Sequence, residues 1–123
     1  MKLVKLAGLS ATLLSLLFVN AAKADDEYTE AFPLVFLEVN TKSADTYLQY
    51  HGKALTKVGT GVYEEYRWGG TSCGLRVLAA EEVLMLQGAL DNPNVKVAMR
   101  YQDGQGQSKC IVGFSLVRKG YSE

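Results

Sequence analysis

The stretch LVFLEVNTKSADTYLQYHGKALTKVGTGVYEEYRW, residues 34–68, decides the fold. Its middle carries the clearest periodicity in the chain. Stepping about 100° per residue from Ala44 places Ala44, Tyr47, Leu48, His51, Ala54, Leu55 and Val58 within an arc of roughly 120°. Asp45, Thr46, Gln49, Tyr50, Gly52, Lys53, Thr56 and Lys57 fill the rest. The spacing predicts an amphipathic helix over 44–58, lying on a sheet to which Val35, Leu37 and Val39 contribute from one side and Val62, Tyr66 and Trp68 from the other. Ser43 suits its N-cap, Asp45 and Lys57 suit the two ends of its dipole, and Gly59 suits a left-handed stop. Gly52 would cost such a helix about 1 kcal/mol relative to alanine, on its polar side.

Outward from this stretch, Pro33 cannot sit inside a central ladder, so a strand is expected to open at Leu34 and close near Asn40. Residues 25–31 are polar and read as a linker. Between Gly61 and Trp68 the residues alternate, with Val62, Glu64, Tyr66 and Trp68 on one side and Tyr63, Glu65 and Arg67 on the other. Gly69-Gly70 breaks this run, and residues 73–78 read as a third strand closing a hairpin. A helix is expected over 80–90, stopped by Asp91-Asn92-Pro93. Val95, Val97, Met99 and Tyr101 alternate as a strand, the turn Asp103-Gly104-Gln105-Gly106 follows, and residues 110–118 form a last strand with Val112, Phe114 and Leu116 inward.

The first 24 residues read as a secretory signal peptide: Met1, Lys2 and Lys5, an apolar run from Leu13 to Val19, then Ala22-Lys23-Ala24. The run is too short to span a bilayer. Cleavage after Ala24 leaves residues 25–123 as one domain for the periplasm or the medium. All 13 acidic residues stay while Lys2, Lys5 and Lys23 leave, so the mature chain is slightly acidic. No basic cluster remains to suit nucleic acid or an anionic membrane. The 2 cysteines, Cys73 and Cys110, read as a disulfide in an oxidising compartment. Two cysteines and one histidine do not make a zinc site, and no cofactor is implied.

Setting the Val95 strand aside, the order β-α-β-β-α-β folds as a ferredoxin-like split βαβ sandwich, an antiparallel sheet with two helices on one face. With it the chain resembles the dimeric α+β barrel superfamily related to antibiotic-biosynthesis monooxygenases. The resemblance rests on Val39-Asn40-Thr41-Lys42 leading to Asp45, Tyr47 and Leu48, on Gly69-Gly70, and on Leu90-Asp91-Asn92-Pro93. It implies a cavity for a small organic ligand between the first helix and the sheet, and, as a third reading, cofactor-free monooxygenase chemistry. A sheet with one bare face also calls for a homodimer to cover it. The rival architecture is a small OB-type barrel, in which strand five pairs with strand three and Cys73 can meet Cys110. It resembles the binding subunits of exported toxins and other oligosaccharide readers, and makes the protein a secreted binding module for glycans or a protein partner. It requires residues 44–58 to be strand and loop, against the helical stripe, and the split βαβ reading is preferred on that stripe.

Four residues are candidates for ligand binding: Tyr47, His51, Tyr66 and Trp68. His51 sits in the apolar arc, either as a neutral core imidazole or as an acid or base at a cavity. Tyr63, Tyr66, Arg67 and Trp68 form an aromatic cluster with one cation, suited to packing or to stacking on a ligand. Catalytic signatures fail: Gly113-Phe114-Ser115-Leu116-Val117 lacks the second glycine of a nucleophile elbow, and no glycine pair precedes a Lys-Ser/Thr of a phosphate loop.

Overall fold

The structure, a computed structural model, describes residues 25–121. The expected signal peptide therefore lies outside the described residues. Strands β1 (Glu27–Phe32) and β2 (Leu34–Val39) are followed by a 3-10 turn (Asp45–Leu48), β3 (Gly52–Gly59), β4 (Val62–Trp68), a single-turn helix α1 (Gly70–Cys73), helix α2 (Ala80–Asp91), β5 (Val95–Asp103), a second 3-10 turn (Gln105–Gln107) and β6 (Lys109–Arg118). The ferredoxin-like expectation is overturned. The described residues form one mixed six-stranded sheet in the order β1-β5-β6-β4-β3-β2.

That order closes on itself. Phe32 and Leu34 are separated only by Pro33, a span of about 7 Å at most, yet they belong to the two outermost strands. In a flat sheet those strands would stand about 24 Å apart. The sheet must curl until its edges meet, and the amide of Lys57 in β3 donates to the Pro33 carbonyl at 2.9 Å where they do. β1 and β2 then act as one long strand bent at the proline. With β4 and β6 parallel and α2 between β4 and β5, this is the arrangement of the small OB-type barrel. Closure also removes the bare sheet face that called for a homodimer.

The stretch 44–58 is not a helix. Ala44 precedes the 3-10 turn that holds Tyr47 and Leu48, His51 stands at a junction, and Ala54, Leu55 and Val58 lie in a strand, Ala54 fully buried and Leu55 on the outer side. Inward positions of β3 are small because those of β4 are large: Gly52 is opposite Trp68, Ala54 opposite Tyr66 and Thr56 opposite Glu64. A β-carbon at residue 52 would overlap the Trp68 indole. The glycine that would be costly in a helix thus gives the tryptophan its seat.

Three further boundaries change. Residues 25–31 are not a linker, since β1 begins at Glu27 and pairs with β5. Residues 73–78 are not a strand: Gly69 and Gly70 both have positive φ and turn the chain into α1, so the hairpin is β3 with β4 instead. In β6 a bulge opposite Arg100 and Tyr101 changes the parity, so that Ile111 rather than Val112 is fully buried. The expected helix at 80–90 is present as α2, whose start is fixed by Glu82 accepting the Ala79 amide at 2.7 Å. Leu86 and Ala89 of α2 plug the barrel against Leu34, Trp68, Val97 and Met99.

Cys73 and Cys110 form a disulfide, with their Cα atoms 5.6 Å apart. It ties the end of α1 to the start of β6, beside the parallel register of Arg67 with Cys110.

Candidate functional site

The loop from β2 to β3 crosses the end of the barrel and leaves a groove of about 450 Å³ between itself and α2. Tyr47, His51 and Asn40 line one wall, Val83 and Leu84 of α2 the other, and Trp68 the floor. Three of the four expected ligand residues therefore meet here, although the groove lies between a loop and α2 instead of between a first helix and a sheet. Tyr66 is elsewhere: it is buried in the core, edge-on to Tyr101 with ring centroids 5.6 Å apart. At that end of the barrel Lys109 pairs with Glu64 at 2.7 Å and holds its ammonium 5.3 Å from the Tyr101 centroid and 5.9 Å from that of Tyr66. The hydrogen bond to Glu64 raises the lysine above its ordinary range, and burial raises the Tyr66 phenol.

Local chemistry shapes the groove. Tyr47 and His51 stack at 4.1 Å with their planes 8° apart, so that each ring covers one face of the other. The Nδ1 side of the imidazole rests on Gly69, where a β-carbon would collide with the ring and where φ of +71° already favours glycine. The His51 side chain makes no hydrogen bond among the described residues. Asn40 donates through Nδ2 to the Tyr50 carbonyl and to Glu38, both at 3.2 Å, which leaves its Oδ1 as an acceptor.

Tyr50, placed on the polar side of the expected helix, anchors the loop. It is buried, its hydroxyl donates to Glu38 at 2.9 Å, and the Arg67 guanidinium lies 4.3 Å from its ring centroid. Burial, reinforced by the bond to Glu38, raises its pKa. Around it, Glu65 accepts from Arg67 at 2.7 Å and pairs with Lys53 at 3.3 Å. Burial works to raise the Glu65 carboxyl, but Arg67 and then Lys53 outweigh it and hold the group below the usual carboxylate range. For Lys53, burial works downward and Glu65 more than offsets it.

Residues Tyr50, Asn40 and Leu84 were not singled out from the sequence. Tyr50 carried no usable signal, because the strand that it precedes is itself hidden by the helical spacing of residues 44–58. Leu84 carried none, because the face it shares with the loop exists only once the barrel closes. Among the described residues no group of three or more His, Cys, Asp or Glu could hold a metal ion, and no helix is long and apolar enough to cross a membrane. In comparisons with known proteins, the chain matches no family model, no curated protein and no solved structure.

Proposed function

We propose that the protein is an exported OB-type binding module that takes a glycan in the groove beneath the 40–51 loop. The observation that carries this reading is the stacked Tyr47–His51 pair. A sugar ring has apolar C–H faces and a rim of hydroxyls. The Tyr47 ring, held in place by its stack on His51, and Leu84 suit the faces, while the free imidazole nitrogen and Asn40 Oδ1 suit the rim. The groove also lies at the loop between the first and second strands of the barrel, one of the places where OB folds read oligosaccharides, a likeness of fold and not of sequence. Export rests on the basic start, the Leu13–Val19 run and Ala22-Lys23-Ala24, and the Cys73–Cys110 disulfide suits an oxidising compartment.

The test is a glycan array probed with disulfide-bonded protein of residues 25–123, followed by titration of the best glycan. Binding that is lost in Tyr47→Ala and in His51→Ala, with the circular dichroism unchanged, supports the reading. An empty array, or a glycan held equally by both variants, refutes it.

A further inference from the structure

A second surface lies along β6. That strand is paired with β5 over its whole length, but its other side meets β4 at one register position only, Arg67 with Cys110. Beyond this point β4 has turned away into α1. From Val112 to Val117 β6 has no register partner other than β5, and no turn or loop backbone among the described residues bonds to it. In an antiparallel pair every second residue turns its N–H and C=O away from the partner, so this side presents unused donors and acceptors. Such an edge is a template for another strand unless proline or charge blocks it. The run Ile111-Val112-Gly113-Phe114-Ser115-Leu116-Val117 contains neither.

A groove follows the same edge. One part, about 440 Å³, separates Ile111–Phe114 from Leu75–Leu78 and Glu82. Another, about 430 Å³, separates Leu116–Arg118 from Gly88 and Ala89 of α2. Met85 lines both, so the two parts adjoin. Exposed apolar side chains line it among the polar ones: Leu75 is 99%, Val77 51% and Met85 50% exposed. Arg76 and Arg100 stand at one end and Arg118 at the other. Among the described residues Glu82 is the only carboxylate lining the groove, and its Oε1 already accepts the Ala79 amide. Arg100 lies over Gly113, and its nearest carboxylate, Asp26, is 3.8 Å away.

We propose that this groove receives an extended acidic segment of a partner protein, added as a strand to the free edge of β6 and covered by α2. Seven residues of strand span about 23 Å, a length that a compact ligand does not match. Main-chain bonds to the edge hold the segment, alternate apolar side chains cover Met85 and Val77, and carboxylates meet Arg100 and Arg118. Leu78 is the one residue this surface shares with the groove under the 40–51 loop, so the two proposals stand apart.

The experiment titrates residues 25–123 with the peptide acetyl-Glu-Val-Glu-Val-Glu-Val-Glu-amide, followed by amide shifts and hydrogen exchange in NMR. Shifts and slowed exchange centred on Ile111–Val117 are expected. Arg100→Glu should weaken binding about tenfold or more, as should replacing the peptide's glutamates by lysines. Met85→Glu should do the same with the fold intact by circular dichroism. Methylating alternate peptide nitrogens should abolish binding in one of the two registers. No shifts at millimolar peptide, equal binding of the lysine peptide, or indifference to methylation in both registers would overturn the proposal. So would dilution-dependent shifts at Ile111–Val117 without peptide, since they would give the edge to a second copy of the chain.

Discussion

The indole of Trp68 occupies the space that a side chain at residue 52 would need, directly across the ladder between β3 and β4. Gly52→Ala therefore has to displace the tryptophan from the core or part the two strands. We expect a loss of about 1–3 kcal/mol, the usual range for overpacking. Urea unfolding checks it, and because Trp68 is the only tryptophan, its fluorescence reports the displacement directly.

The disulfide closes a loop with a sequence separation of 37 residues. Restriction of the unfolded chain by such a loop is worth on the order of 3 to 4 kcal/mol. The double variant Cys73→Ser/Cys110→Ser should lose about that much in denaturant unfolding. Intact mass with and without reductant should show the bond in the unaltered protein.

Glu65 gives the acid limb of stability a definite sign. Its folded pKa lies below the ordinary value, so the unfolded chain takes up a proton first as pH falls. The stabilisation is complete above the usual glutamate range and is lost as pH drops through that range to the folded pKa. The carboxyl is partly solvated, so the effect is small, at most about 1 kcal/mol. Glu65→Gln should flatten the stability profile at acid pH and leave its shape near neutrality unchanged; a profile equally steep in both proteins would contradict the assignment.

Tyr50→Phe removes the hydroxyl that holds Glu38 and keeps the ring under Arg67. A cost of about 1 kcal/mol is expected for the lost hydrogen bond. Because Tyr50 anchors the 40–51 loop, hydrogen exchange should quicken there while β5 and β6 keep their protection. Uniformly faster exchange would mean that the residue supports the whole barrel instead.

The sequence by itself determined the elements whose pattern is local. The Glu64–Trp68 part of β4 alternates because Tyr66 and Trp68 enter the core while Glu65 and Arg67 stay partly exposed, and Asp91-Asn92-Pro93 ends α2 through its own backbone preferences. The pairing of Cys73 with Cys110 was legible from cysteine count and expected compartment. Residues 44–58 were not legible. Gly52, Ala54 and Thr56 face inward and are small, which mutes the alternation of β3, while apolar residues from a 3-10 turn, a junction and a strand coincide at the spacing of a helix. Only tertiary structure decided that stretch, because the reason for small residues in β3 is the bulk of Tyr66 and Trp68 across the ladder. The candidate site divides in the same way. Tyr47, His51 and Trp68 could be named as aromatic and titratable groups near one another in sequence, but the wall formed by Val83 and Leu84 depends on closure at Pro33, which brings the two outermost strands together and sets α2 beneath the loop.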